Sequence, residues 1–325
     1  MTGSDKTFEA IVFGTGSEGT RRKGAMQPLN QKRITGELGN VSPVIIVPGP
    51  WSDTDLAYQA EHLFSMLTMN GGFNCNATRV IIQHASWDQR DPLLQKLRVC
   101  MASQPSRVAY YPGAQQRMQS FVAAHPEAEQ FGDRTNEHTP WTLIADLDAQ
   151  ATNDICFTTE AFCSLFAETA LEARSVVDYI AHAVAFANKH LWGTLNVTLL
   201  VHPTSLKDPA IAAAVEQAIA DLRYGTVSVN YWAGTSFTLG TTTWGAYPGH
   251  TLDDIQSGIG VVHNTLMFSQ PQKSVIRAPF RSIPTPPWFA SRSATLTKTF
   301  KRLTDLEASP ALWKVPGIVI AALGR

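Results

Sequence analysis

The chain has 325 residues, 44% of them hydrophobic and 16% charged, which supports a sizeable core and excludes intrinsic disorder. Lys and Arg number 26 against 27 Asp and Glu, a net charge of −1, so neither the basic footprint of a nucleic-acid binder nor a polybasic membrane patch is present. Four cysteines are too few for a disulfide scaffold, residues 1–10 lack the apolar core of a signal peptide, and the apolar run 315–323 is far too short to span a bilayer. The expectation is a soluble, cytoplasmic protein without nucleic-acid or membrane partners.

In chain order, residues 8–13 (Phe-Glu-Ala-Ile-Val-Phe) predict a short buried strand leading into Gly14-Thr-Gly16-Ser17-Glu-Gly19, with a basic, weakly patterned stretch after it. Residues 44–47 predict a strand closed by Pro48-Gly49-Pro50. A helix starts at Ser52 or Asp53, carries Leu56, Ala60, Leu63 and Leu67 on one face, and stops near Asn70 at Gly71-Gly72. Residues 79–83 predict a strand, 91–101 a helix with Pro92 at its first position, 115–124 a helix and 127–139 an exposed polar loop. Strands are expected at 141–145, 162–166, 194–201 and 226–229. Helices are expected at 173–190, through Val176, Ile180, Val184 and Ala187, and through Ile211, Val215, Ile219 and Leu222. This alternation predicts an α/β fold with a largely parallel sheet flanked by helices. The chain is proline-rich over 279–287, which makes 283–325 a peripheral tail.

Gly14, Gly16 and Gly19 match GxGxxG, a turn that lets backbone N–H groups approach a pyrophosphate at a helix N-terminus. The residues after Gly19 do not pattern as an amphipathic helix, and a plain Gly-rich turn fits equally well. Cys75 sits in a small, polar, Gly-rich turn between a helix and a strand, where a thiol would have the access and polar setting its chemistry needs; an ordinary loop cysteine fits the same local sequence. Cys100, Cys156 and Cys163 lie in apolar or strand-like settings and read as core thiols. Glu37 falls at a strand end, where desolvation would raise its pKa towards that of a general base; a solvated glutamate is the alternative. The nine histidines show neither HExxH nor zinc spacing with a cysteine, and P-loop and GxSxG motifs are missing, so no metal site is expected.

These segments, in this order, resemble the aldehyde dehydrogenase superfamily over roughly residues 8–277. Phe13-Gly-Thr-Gly16-Ser17 is similar to that family's Phe-Thr-Gly-Ser turn, and Glu37-Leu-Gly-Asn40-Val-Ser-Pro43 to its Glu-Leu-Gly-Gly-Lys-Ser-Pro. Asp53-Thr-Asp-Leu56 resembles the acidic start of the next helix, and residues 70–79 the Asn-x-Gly-Gln-x-Cys-x-Ala-x-x-Arg segment. Glu160-Ala-Phe162 resembles Glu-Ile-Phe, residues 188–195 resemble Asn-x-x-x-Tyr-Gly-Leu, and Gly225-Thr-Val-Ser-Val-Asn230 matches Gly-Thr-Val-x-Val-Asn.

The resemblance implies NAD- or NADP-dependent oxidation of an aldehyde. Cys75 would be the nucleophile, Glu37 the base for thioester hydrolysis, and Gly16 and Ser17 would lie near the pyrophosphate. Glu160 would hold the nicotinamide ribose, Phe162 would pack by the nicotinamide, and the Cys75 N–H would supply half an oxyanion hole. Departures include Phe73 for the Gln, Asn40 and Val41 for the Gly-Lys, Cys163-Ser164 for a Gly-Pro, and the missing N-terminal portion that carries most of the cofactor sheet. The implied organisation is a cofactor-domain remnant at 1–40, a catalytic domain at 41–238, a return segment with an oligomerisation strand at 239–278, and a tail at 279–325. The implied state is a homo-oligomer or a complex with a complementary chain. A non-catalytic, partner-binding relative and a cofactor-independent thiol esterase are the alternatives.

Overall fold

The computed structural model describes residues 1–133, 135 and 137–324. Arg134 and Asn136 of the expected polar loop, and Arg325 at the end of the tail, lie outside the described residues.

Two helices open the chain, α1 (Asp5–Phe13) and α2 (Gly16–Gly24), followed by β1 (Gly36–Glu37), β2 (Ser42–Val47) and α3 (Asp53–Thr68). Next come β3 (Thr78–His84), α4 (Arg90–Ser103), β4 (Arg107–Val108), α5 (Ala114–Ala124), β5 (Glu129–Phe131), β6 (His138–Thr139) and β7 (Trp141–Leu147). Then follow α6 (Ile155–Thr158), β8 (Leu165–Leu171), α7 (Val176–His190), β9 (Asn196–Val201), α8 (Pro209–Asp221) and β10 (Thr226–Val229). The remainder holds α9 (Thr235–Leu239), β11 (Trp244–Gly245), β12 (Gly258–Ile259), β13 (Val261–Val262), β14 (Ser274–Arg277), α10 (Ser293–Ala308) and α11 (Val315–Ala322).

One eight-stranded sheet in the order β14-β10-β9-β2-β3-β8-β7-β5 organises the molecule. Every pairing in it is parallel except that of β5 with β7. The sheet is covered on both faces, which is why its strands read as continuous apolar runs. Along β2, Val44 and Ile46 face one core with Leu63 and Phe64 of α3 and Leu97 of α4. Ile45 and Val47 face the other, with Phe121 of α5, Ile180 and Val184 of α7 and Val215 of α8. The largely parallel α/β architecture expected from the alternation is the one observed.

Several local expectations are corrected. Residues 8–13 form α1, not a strand. Ser4 caps it by accepting the Thr7 N–H at 3.1 Å, and Phe8 and Val12, one turn apart, enter a small core with Phe13, Leu38 and Ile255. The basic stretch after Gly19 is helical. Glu18 pairs with Arg21 at 2.9 Å and Arg22 at 3.1 Å, so α2 is held by i,i+3 and i,i+4 ion pairs and not by an apolar stripe. Residues 127–139 contain β5 and β6 rather than only loop. The strand expected at 162–166 begins at Leu165, because Phe162 takes a left-handed φ of 40°. Past residue 279 the chain folds back, placing Phe280 and Trp288 against the α3–α4 layer. Among the described residues no helix is long and apolar enough to cross a membrane.

Candidate active site

Parallel strands that are neighbours in a sheet receive their preceding loops at one shared edge. Glu37 precedes β2, Cys75 precedes β3 and Glu160 precedes β8, and these three strands are consecutive in the sheet. Residues 38, 85 and 123 positions apart in pairs are therefore delivered to the amino-terminal edge of the sheet's centre, and Glu37 and Glu160 both act electrostatically on the Cys75 thiol.

The turn carrying Cys75 is built from left-handed backbone. Asn70, Gly71 and Gly72 have φ of 54°, 66° and 84°. A Cβ on Gly72 would lie 2.4 Å from the Cys163 carbonyl oxygen, so glycine is needed there for both conformation and close approach. The side chain of Asn74 donates to Met69 O at 2.9 Å and that of Asn70 to Phe73 O at 3.1 Å. Buried Arg79 ties this turn to the start of β8: Nη1 donates to Cys163 O at 2.7 Å and Leu165 O at 3.2 Å, and Nη2 donates to Gly72 O.

Cys75 is partly buried. Burial, then the Glu37 and Glu160 carboxylates, push its thiol well above the ordinary value, and its own backbone N–H acts in the opposite direction. The setting is electronegative, not the electropositive one that would favour a resting thiolate. Glu37, 7% exposed, accepts a hydrogen bond from the buried Trp244 Nε1 at 3.1 Å. Its backbone is held by the antiparallel pairing of β1 with β12.

Glu160 is pushed up to about 7 by burial, against the lowering effects of Arg79 and the Asn40 N–H. Asn40 N donates to Oε1 at 3.2 Å, while Oε2 packs so tightly on Gly39 that a Cβ there would approach to 2.0 Å. Phe162 sits in an aromatic cluster with Phe73 and Tyr111, ring centroids 6.0 and 4.8 Å away. Its strained turn is fixed by Arg117, which donates to Ala161 O at 3.2 Å and Phe162 O at 3.1 Å.

Gly16 and Ser17 are exposed at the start of α2. Gly14 and Gly16 have φ of 91° and 65°, and a Cβ on Gly19 would meet Gly14 O at 2.2 Å. These glycines thus serve a tight helix-to-helix turn, not the strand-to-helix turn that a pyrophosphate motif requires. The glycine cradle at Gly39 leaves Glu160 Oε2 without a hydrogen-bond partner among the described residues, an acceptor that a ligand hydroxyl could use. Cavities of about 450 and 190 Å³ lie along α10 and beside Tyr247 and His250, the second lined in part by Gly258 of β12, the register partner of Glu37.

Sequence reasoning missed Trp244, Arg117 and the role of Asn40. Trp244 lies 207 positions from Glu37 and no local pattern marks it. Arg79 closes the segment 70–79, yet its function as a clamp depends on carbonyls 84 and 86 positions away.

No family model and no curated protein matches the chain. Solved structures do. It is similar to an NAD-dependent aldehyde dehydrogenase from Sinorhizobium meliloti, with 18% identity, TM-score 0.55, and 80% of this chain and 46% of that chain covered. It is also similar to a glyceraldehyde-3-phosphate dehydrogenase from Methanocaldococcus jannaschii solved with NADP, with 17% identity, TM-score 0.58, and coverage of 80% and 50%. Lactaldehyde dehydrogenase from Escherichia coli gives 18% identity, TM-score 0.58, and coverage of 82% and 50%. The chain spans about half the length of these structures and has the fold of that half of an aldehyde dehydrogenase.

Proposed function

We propose that the chain is an oxidoreductase-type thiol enzyme that acts on an aldehyde, with Cys75 as nucleophile and Glu37 as general base. The observation that carries this reading is the convergence of Cys75, Glu37 and Glu160 from three separate segments onto one edge of the sheet. Sγ gives its proton to solvent as sulfur attacks the carbonyl carbon; the C–S bond forms, the displaced electron pair moves to the carbonyl oxygen, and that oxygen takes a proton from solvent, leaving Glu37 free for the later step.

A nicotinamide cofactor, when bound, supplies the hydride acceptor that leaves a thioester on Cys75. Glu160 and Phe162 would hold its nicotinamide riboside, and the exposed start of α2 at Gly16 and Ser17 would lie towards its phosphates. Glu37 then takes a proton from water, the new C–O bond forms, and the C–S bond breaks with Cys75 as leaving group. The exposed edge strand β14, with Val275 41% exposed, is where a second copy would pair. The organisation into 1–40, 41–238, 239–278 and 279–325 belongs to the same proposal.

A second reading, acyl transfer from an activated ester without nicotinamide, is favoured by the placement of Gly16 and Ser17 outside a strand-to-helix turn. Formation of NADH or NADPH across a panel of aldehydes, beside hydrolysis of a phenyl ester, separates the two. The proposal expects reduced cofactor from the parent chain and none from Cys75→Ala. Ester turnover without reduced cofactor supports the second reading, and silence in both assays supports a non-catalytic relative.

A further inference from the structure

Away from Cys75, the described residues bring one other set of ligand-bearing side chains together. His125 terminates α5, while Asp154 caps α6 by accepting the Cys156 N–H at 2.7 Å. His125 Nε2 lies 3.2 Å from Asp154 Oδ1 and 3.1 Å from Oδ2. Its Nδ1 lies 2.9 Å from Glu127 Oε1. One ligand atom each from His125, Asp154 and Cys156 fall within 4.8 Å of one another. Ligands bound to a common tetrahedral zinc at 2.0–2.3 Å stand roughly 3.5 Å apart, so little movement separates this arrangement from coordination.

We propose that His125 Nε2, an Asp154 carboxylate oxygen and Cys156 Sγ bind a divalent ion of the zinc class, with Glu127 orienting the imidazole and a water completing the tetrahedron. The mixed nitrogen, oxygen and sulfur set favours a borderline ion over magnesium or calcium. A carboxylate on the far nitrogen of a ligating histidine fixes its tautomer and orientation, and Glu127 stands where that role requires.

Helix capping accounts for the Cys156 N–H contact with Asp154, but not for the approach of His125 Nε2 to the same carboxylate with Cys156 Sγ beside them. On binding the ion, Sγ–H releases its proton to solvent, and the thiolate and carboxylate together balance the two positive charges. Side-chain exposure of 11% at His125, 14% at Asp154 and 60% at Glu127 provides a route to solvent. The three ligands come from two helix ends, 29 positions apart in sequence, so zinc-motif spacing could not reveal them.

The test is titration of the full, chelator-stripped chain with Co²⁺. The expected result is thiolate-to-cobalt charge-transfer absorption saturating at one equivalent and displaced by Zn²⁺. Cys156→Ser should lose the band, Cys75→Ser should keep it, and Glu127→Gln should keep it while binding roughly 10- to 100-fold more weakly. Absence of the band from the parent overturns the proposal, as does its retention in folded Cys156→Ser. If Cys156→Ser does not fold, His125→Gln is read in the same way; if neither folds, peptide mapping of the parent decides. Zinc that shields Cys156 from alkylation in mild denaturant supports the site, and zinc that leaves it unshielded contradicts it.

Discussion

Replacing Arg79 with Met keeps most of the buried volume but removes the guanidinium that clamps the nucleophile turn. The carbonyls of Cys163, Leu165 and Gly72 then lose a buried donor. Each orphaned acceptor costs about 1–3 kcal/mol. The loss is offset by relief of the desolvation of Arg79 itself, whose Nε already lacks a partner. A net destabilisation of about 3–4 kcal/mol follows, in the range for breaking buried charged contacts. Arg79 also lowers Glu160, so Glu160 should titrate above its parent value of about 7. Urea unfolding followed by tryptophan fluorescence, with limited proteolysis at 70–75, measures the effect. A variant within about 0.5 kcal/mol of the parent, with an equally protected turn, would refute the clamp.

Other predictions concern charge and close approach. At pH 7 iodoacetamide should alkylate Cys75 more slowly than a free cysteine and accelerate as pH rises, since the thiol is held high; Glu37→Gln should speed alkylation by up to about tenfold at fixed pH, and equal rates would separate Glu37 from the thiol. Folded Glu160 keeps its proton up to about 7, against 4.5 ordinarily, so stability should fall as pH rises through that window and Glu160→Gln should flatten the slope in thermal unfolding. Buried His62 has the opposite sign. It is lowered from 6.5 to about 3, the unfolded chain binds the proton first, and stability should fall as pH drops through that interval; His62→Phe, which can retain the stack on Phe289 at 5.5 Å, should remove that loss. Gly39→Ala would drive a methyl to 2.0 Å from Glu160 Oε2 and should weaken nicotinamide nucleotide binding at least tenfold by calorimetry.

The central sheet was legible because strands buried on both faces favour apolar runs, and helices between them must show a 3.6-residue period; 44–47 and 80–82 carry the first signal and Val176, Ile180, Val184 and Ala187 the second. The N-terminus was not. Phe8, Val12 and Phe13 satisfy a short apolar run as well as a helix face, and only the Ser4 cap and the contacts with Leu38 and Ile255 decide between them. Cys75 and Glu37 stood out locally, as a thiol in a polar Gly-rich turn and a carboxylate at a strand end, each with an ordinary alternative; Glu160 was singled out only through resemblance. Their electrostatics were beyond sequence: the two carboxylates that oppose the Cys75 thiolate arrive from separate strands. Trp244, Arg117 and the His125–Asp154–Cys156 cluster depend wholly on tertiary placement.

In the proposed reaction Cys75 carries the acyl group and Glu37 activates the water that removes it. The most direct measurement is the intact mass of the Glu37→Gln chain after incubation with an aldehyde and NAD or NADP. The expected result is a mass increase of one acyl group, mapped to the Cys75 peptide and dependent on the cofactor. An unmodified Cys75 beside measurable cofactor reduction by the parent, or an adduct on another residue, would contradict it.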